Sequence, residues 1–283
     1  MKRIVILILL VVLAGIAGVV VRSSSGSETV AEIRGLVSRN ASGDVRDEIR
    51  QTFELAPGAR VEVGGINGPV KIETADTQTA EVYIERTASS QEALSRRKIT
   101  VEGFGDKLRI RGETREHKFL ARLFGSRASE KVTLKLPRQI SLFAKGVNGA
   151  VVVSEISGAI EISGINGKVQ VANAAGSATL KGINGSVMVG LKSVISSGID
   201  MSGINGNIEL QLPADLNADF EARGMNGRVM ADYPNVSIDK GKHGNYSARI
   251  GSGGAEISAR GINGNIRLTP ASTPAGSSAA AGN

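Results

Sequence analysis

Gly164-Ile165-Asn166-Gly167-Lys168-Val169-Gln170-Val171 decides how this chain is read, because the tetrapeptide at its head returns throughout the sequence. The other copies are Gly65-Ile66-Asn67-Gly68, Gly146-Val147-Asn148-Gly149, Gly182-Ile183-Asn184-Gly185, Gly203-Ile204-Asn205-Gly206, Gly224-Met225-Asn226-Gly227 and Gly261-Ile262-Asn263-Gly264. Five consecutive copies start at 146, 164, 182, 203 and 224, so they are spaced by 18, 18, 21 and 21 residues. Recurrence at that period is the mark of a stacked repeat architecture.

The flanks alternate with a period of two, as half-buried strands do. Apolar residues stand four and two positions before the first glycine, as in Ile160 and Ile162 or Ile199 and Met201. Five and seven positions after it the alternation resumes, with Val169 and Val171 or Ile208 and Leu210. Each repeat therefore predicts strand, corner, strand, with apolar side chains inward on both sides. The expected fold class is all-β, a parallel β-solenoid with Gly-Ile-Asn-Gly corners. Glycine suits positions of positive φ or close backbone approach. The asparagines Asn67, Asn148, Asn166, Asn184, Asn205, Asn226 and Asn263 are expected to stack as an internal hydrogen-bonded ladder. A calcium-binding reading of the array is disfavoured, because no carboxylate follows the asparagine at a fixed offset.

Composition agrees with a core of small and β-branched residues: the 283 residues include 36 glycines, no tryptophan and only 3% aromatics. The absence of cysteine removes disulfides, thiolate metal sites and cysteine nucleophiles from consideration. A formal net charge of +7 favours contact with anionic surfaces.

Lys2 and Arg3 precede an apolar run from Ile4 to Val21 that would extend roughly 27 Å as a helix. Residues 1–21 are expected to act as an uncleaved transmembrane anchor in preference to a cleaved signal peptide. The remainder then lies outside the cytoplasm, in the periplasm or at the cell surface. Residues 22–56 read as a polar stalk, 57–269 as the repeat domain and 270–283 as a disordered tail of small and polar residues. A basic insertion at 112–130 carries Lys118, Phe119, Leu120, Arg122, Leu123 and Phe124, whose helical pattern suits a lid over a sheet edge or an interfacial element. Residues 232–254 read as a loop and hairpin between repeats.

With these repeats laid out, the chain from about Leu55 to Leu268 resembles the bacterial putative-adhesin family of repeat-containing domains, including the head GIN domain of auto-transporter adhesins. The resemblance rests on the Gly-Ile-Asn-Gly corners, their alternating flanks, and Gly251-Ser252-Gly253-Gly254-Ala255-Glu256-Ile257 before the last copy. It implies a β-helical, envelope-located protein without catalysis, and it carries over no catalytic residue, metal or cofactor.

A rigid module for adhesion or surface interaction is the function expected first, with an extracytoplasmic sensory or regulatory domain of an envelope stress system as the alternative. A polysaccharide-active enzyme would need paired carboxylates. Glu161, Asp200, Glu209 and Glu221 are instead scattered singly. The expected partners are the membrane through the N-terminal segment, and an anionic envelope polymer, lipid or another envelope protein. Nucleic acid is not expected, since aromatics for base stacking are scarce.

Overall fold

The computed structural model describes residues 38–39, 44–114, 128–191, 198–233 and 236–271. Residues 1–21, most of the expected stalk and the stretch from Lys118 to Phe124 lie outside them. Among the described residues no helix is long and apolar enough to cross a membrane.

The first strands are β1 (Ser38–Arg39), β2 (Val45–Glu54), β3 (Ala59–Gly64), β4 (Val70–Ala75) and β5 (Thr79–Ala88), followed by the short helix α1 (Gln91–Arg96). Next come β6 (Arg97–Phe104), β7 (Lys107–Thr114), β8 (Ala128–Pro137), β9 (Ile140–Val147), β10 (Val151–Ile156), β11 (Ile160–Asn166) and β12 (Val169–Ala174). Then follow β13 (Ala178–Asn184), β14 (Val187–Leu191), β15 (Ile199–Ser202), β16 (Ile208–Leu212), β17 (Ala218–Arg223) and β18 (Val229–Ala231). The last of the described strands are β19 (Ile238–Lys240), β20 (Tyr246–Ile250), β21 (Ala255–Arg260) and β22 (Ile266–Pro270).

Among the described residues the strands form two sheets of 11 strands each. Every tetrapeptide joins a strand of one sheet to a strand of the other, so each repeat adds one strand to both. Neighbouring repeats pair in parallel and in register: Ile160 lies beside Ala178, Ile162 beside Leu180 and Ile165 beside Ile183. Parallel register places like residues about 4.8 Å apart. The inward rows of both sheets meet in one aliphatic core, where Ile72, Val132, Leu142, Ile162, Leu180, Leu210 and Leu268 are wholly inaccessible.

The repeats do not stack in the order of the sequence. One sheet runs β17-β21-β15-β13-β11-β9-β3 and the other β18-β22-β16-β14-β12-β10-β4. The last repeat, β21 and β22, is thus inserted between the two repeats that precede it. The hairpin of β19 and β20 lies outside the stack, antiparallel against β17, and not between repeats as expected.

At the opposite end β7 and β8 continue the two sheets in parallel beside β3 and β4. No Gly-Ile-Asn-Gly copy stands between β7 and β8 in the sequence. Antiparallel pairing then closes both sheets, through β6 on one and through β5, β2 and β1 on the other. The outermost strands at this end are thus β1 and β6, each paired on one side.

Several expected boundaries shift. Residues 45–54, assigned to the stalk, form β2, because Val45, Asp47, Gln51 and Phe53 point inward and the buried Asp47 is paired with Arg86 at 2.9 Å. The two ends of the expected basic insertion, 112–114 and 128–130, belong to β7 and β8. Pro270, assigned to the tail, ends β22.

Candidate interaction surface

The corners are where the chain repeats most exactly, and each residue of the tetrapeptide has its own geometry. The second residue is buried: Ile66, Val147, Ile165, Ile183, Ile204 and Ile262 are each 1% exposed. The first glycine is left-handed, with φ between 60° and 66° in all seven copies. The last glycine is needed for proximity. A Cβ on Gly167, Gly185 or Gly206 would lie 2.2–2.4 Å from the carbonyl oxygen of the preceding corner.

The asparagine ladder forms. Each amide Nδ2 donates to the Oδ1 of the next: Asn148 to Asn67 at 2.8 Å, Asn166 to Asn148 at 3.0 Å and Asn184 to Asn166 at 3.3 Å. Asn205 continues to Asn184 at 3.1 Å, Asn263 to Asn205 at 2.9 Å and Asn226 to Asn263 at 3.0 Å. Every donor points the same way along the stack. Six of these residues are exposed and Asn67 is intermediate, so the ladder is external and not the internal one expected. An amide has two donors and two acceptor lone pairs, and the ladder uses one of each. Its outer face remains available to solvent or to a ligand.

The first rung ends on a substitute for the missing neighbour. Within the stack the backbone N–H of Asn148 donates to the Ile66 carbonyl at 2.8 Å, and that of Asn205 to Ile183 at 2.8 Å. Asn67 has no such corner beside it, and its N–H donates to Glu130 Oε2 at 2.7 Å. Its amide donates to the Ala128 carbonyl at 2.6 Å. Glu130 is wholly buried and is held by Arg97 through Nε at 2.6 Å and Nη2 at 3.0 Å, a two-pronged charge-assisted contact.

Just before the corners, the outward positions on the sheet that runs β17-β21-β15-β13-β11-β9-β3-β7 form a row by register. Arg223 lies beside Arg260, Arg260 beside Ser202, and Ser202 beside Lys181. Lys181 lies beside Ser163, and Ser163 beside Lys145. Lys145 is followed by Gly64 and then Arg111. The row holds cations, serines and one glycine, and no acid. Two residues earlier on the same strands the outward row includes Glu62, Glu161, Asp200 and Glu221.

Glu62 shows how that acidic row is tied down. Partial burial alone would raise its pKa, but hydrogen bonds from Arg109 at 2.8 Å, Arg60 at 2.7 Å and Lys107 at 3.1 Å outweigh it and hold the carboxyl at about 2. Beside it the Arg60 guanidinium lies 3.4 Å from the centre of the Phe143 ring. Glu209, the remaining carboxylate singled out in the sequence, is on the other sheet and accepts from Gln211 at 3.2 Å. Among the described residues no three His, Cys, Asp or Glu side chains are grouped to hold a metal ion.

No family model matches the chain, and no curated protein matches it. Solved structures of distant sequence do align with it. One is a putative cell adhesion protein from Clostridium sporogenes, 12% identical over 79% of this chain and 99% of that one, with a TM-score of 0.39. Another is a putative adhesin from Bacteroides fragilis, 10% identical over 78% of this chain and 96% of that one, with a TM-score of 0.31. A third is a putative lipid binding protein from Parabacteroides distasonis, 12% identical over 79% of this chain and 94% of that one, with a TM-score of 0.27.

Proposed function

We propose that the chain is a non-catalytic cell-envelope module, a parallel β-solenoid that presents repeated outward rows for adhesion or surface interaction. The observation that carries this reading is the in-register repetition of exposed side chains across successive corners, with the asparagine ladder as its clearest case. An extended surface of identical positions suits a polymeric or repetitive partner, whereas catalysis requires unlike groups converging at one point. In this reading residues 1–21 hold the module at the membrane, and the domain faces the periplasm or the cell surface. Its partner is an anionic envelope polymer, lipid or another envelope protein.

The test is retention of the detergent-solubilised full-length chain on purified cell-envelope fractions at low and high salt. Retention at low salt that is lost at high salt is the expected result, since exposed charge pairs are screened by ions. No retention at either salt concentration refutes surface interaction with the envelope.

A further inference from the structure

We propose that the cationic row and the asparagine ladder together bind a linear anionic polysaccharide, laid along the glycine corners that separate them. This rests on the surface-interaction reading above and specifies its partner.

The spacing of the charges is regular. Arg111, Lys145, Lys181 and Arg260 are each two strands apart by register, which is about 10 Å per interval. Arg223 extends the row by one more strand, giving a length of about 34 Å from end to end. Such intervals suit a polymer with an anionic group on alternate sugars. Ser163 and Ser202 fill the intermediate positions with hydroxyls that can meet sugar hydroxyls.

Arg223 and Arg260 stand directly opposite each other on adjacent strands. Like charges in that position destabilise a sheet; Glu221 compensates Arg223 at 2.6 Å, which leaves Arg260 for an external anion. Lys145 and Arg260 are exposed and form no ion pair among the described residues. Of the acids two residues earlier, Glu62, Asp200 and Glu221 are already paired with cations, Asp200 with Lys181 at 3.5 Å and Glu221 with Arg223 at 2.6 Å, so only the exposed Glu161 opposes a polyanion on that side.

Along the other side run the amides of the ladder, each with an unused donor and acceptor. Between the two rows the first glycines carry no side chain. A Cβ on Gly146, Gly164, Gly182 or Gly203 would meet nothing closer than 3.6 Å, so an approaching ligand is not fended off by local packing. Cations on one side, amides on the other and bare backbone between them match an extended chain bearing both carboxylates and hydroxyls.

The test uses the full-length chain and hyaluronan oligosaccharides, which carry a carboxylate on every second sugar, with neutral dextran and linear polyphosphate as comparisons. Hyaluronan is expected to bind more tightly than either. The triple variant Lys145→Gln, Lys181→Gln, Arg260→Gln should lose about tenfold or more in affinity with an unchanged thermal midpoint, because all three side chains are exposed. Removing the same charge from the other sheet, with Lys71→Gln, Lys135→Gln and Arg267→Gln, should leave affinity within about twofold. Equal losses in both triples overturn the site, and polyphosphate binding as tight as hyaluronan overturns the polysaccharide class. Retention on envelope fractions without hyaluronan binding overturns this proposal and leaves the surface-interaction reading standing, whereas failure in both assays removes both.

Discussion

The two glycines of a corner are required for different physical reasons, and substitution separates them. Gly182 has φ +60° and a Cβ there would make only an ordinary contact, 3.8 Å from the Gly164 nitrogen, so Gly182→Ala should cost about 1–2 kcal/mol, the strain of a left-handed alanine. Gly185→Ala adds a Cβ at 2.3 Å from the Gly167 carbonyl and must push two layers apart. It should be the more damaging of the pair, by about 1–3 kcal/mol in urea denaturation. Equal midpoints would refute the division of labour. Asn205→Ala removes one rung, but its neighbours Asn184 and Asn263 are exposed and can rehydrate. A loss of about 0.5–1.5 kcal/mol is therefore expected from the same measurement, below the cost of stranding buried partners.

At the level of elements, β8 contributes a side chain that completes the first corner. Glu130→Ala leaves Arg97 largely buried without its carboxylate and the Asn67 N–H without an acceptor. Destabilisation of about 3–5 kcal/mol is expected in chemical denaturation, and a change under 1 kcal/mol would show that the first rung needs no terminator. Glu62, joining β3 to β7, governs the acid limb. Its folded pKa of about 2 lies below the unfolded value near 4.5, so its contribution is full above that value and is lost as pH falls toward 2. The stability of Glu62→Gln should accordingly fall less steeply than that of the parent between those two values. Parallel acid titrations of the two proteins would exclude this linkage. The sequence made the corners and flanking strands legible because every copy repeats the same inward and outward pattern. It did not reveal Glu130, a single acid in a strand whose other inward residues are apolar, or β2, where buried Asp47 and Gln51 break the apolar alternation. That the ladder faces outward was equally hidden, since asparagine stacking has the same spacing on either side of a corner.

For the whole molecule the order of layers matters more than their number. Gly261-Ile262-Asn263-Gly264 is indistinguishable by pattern from its siblings, so nothing local announces that it stacks next to Asn205 instead of Asn226. A chain ending at Gly254 would lack β21 and β22, leaving β18 without a strand partner and β17 with only β20. Hydrogen exchange should then show protection lost across 218–231 and kept across 140–191. Protection retained in 218–231 would mean that this layer can dock directly on β15 and β16. The same arrangement bears on biosynthesis. A polypeptide leaves the ribosome N-terminus first, and its early layers can zip together as they emerge. Residues 218–231 must wait, because the layer that joins them to the rest, β21 and β22, is translated after them. Assembly of this end therefore finishes only after residues 255–270 have emerged, and a premature stop before Ala255 would yield a product with two adjacent layers missing from its sheets.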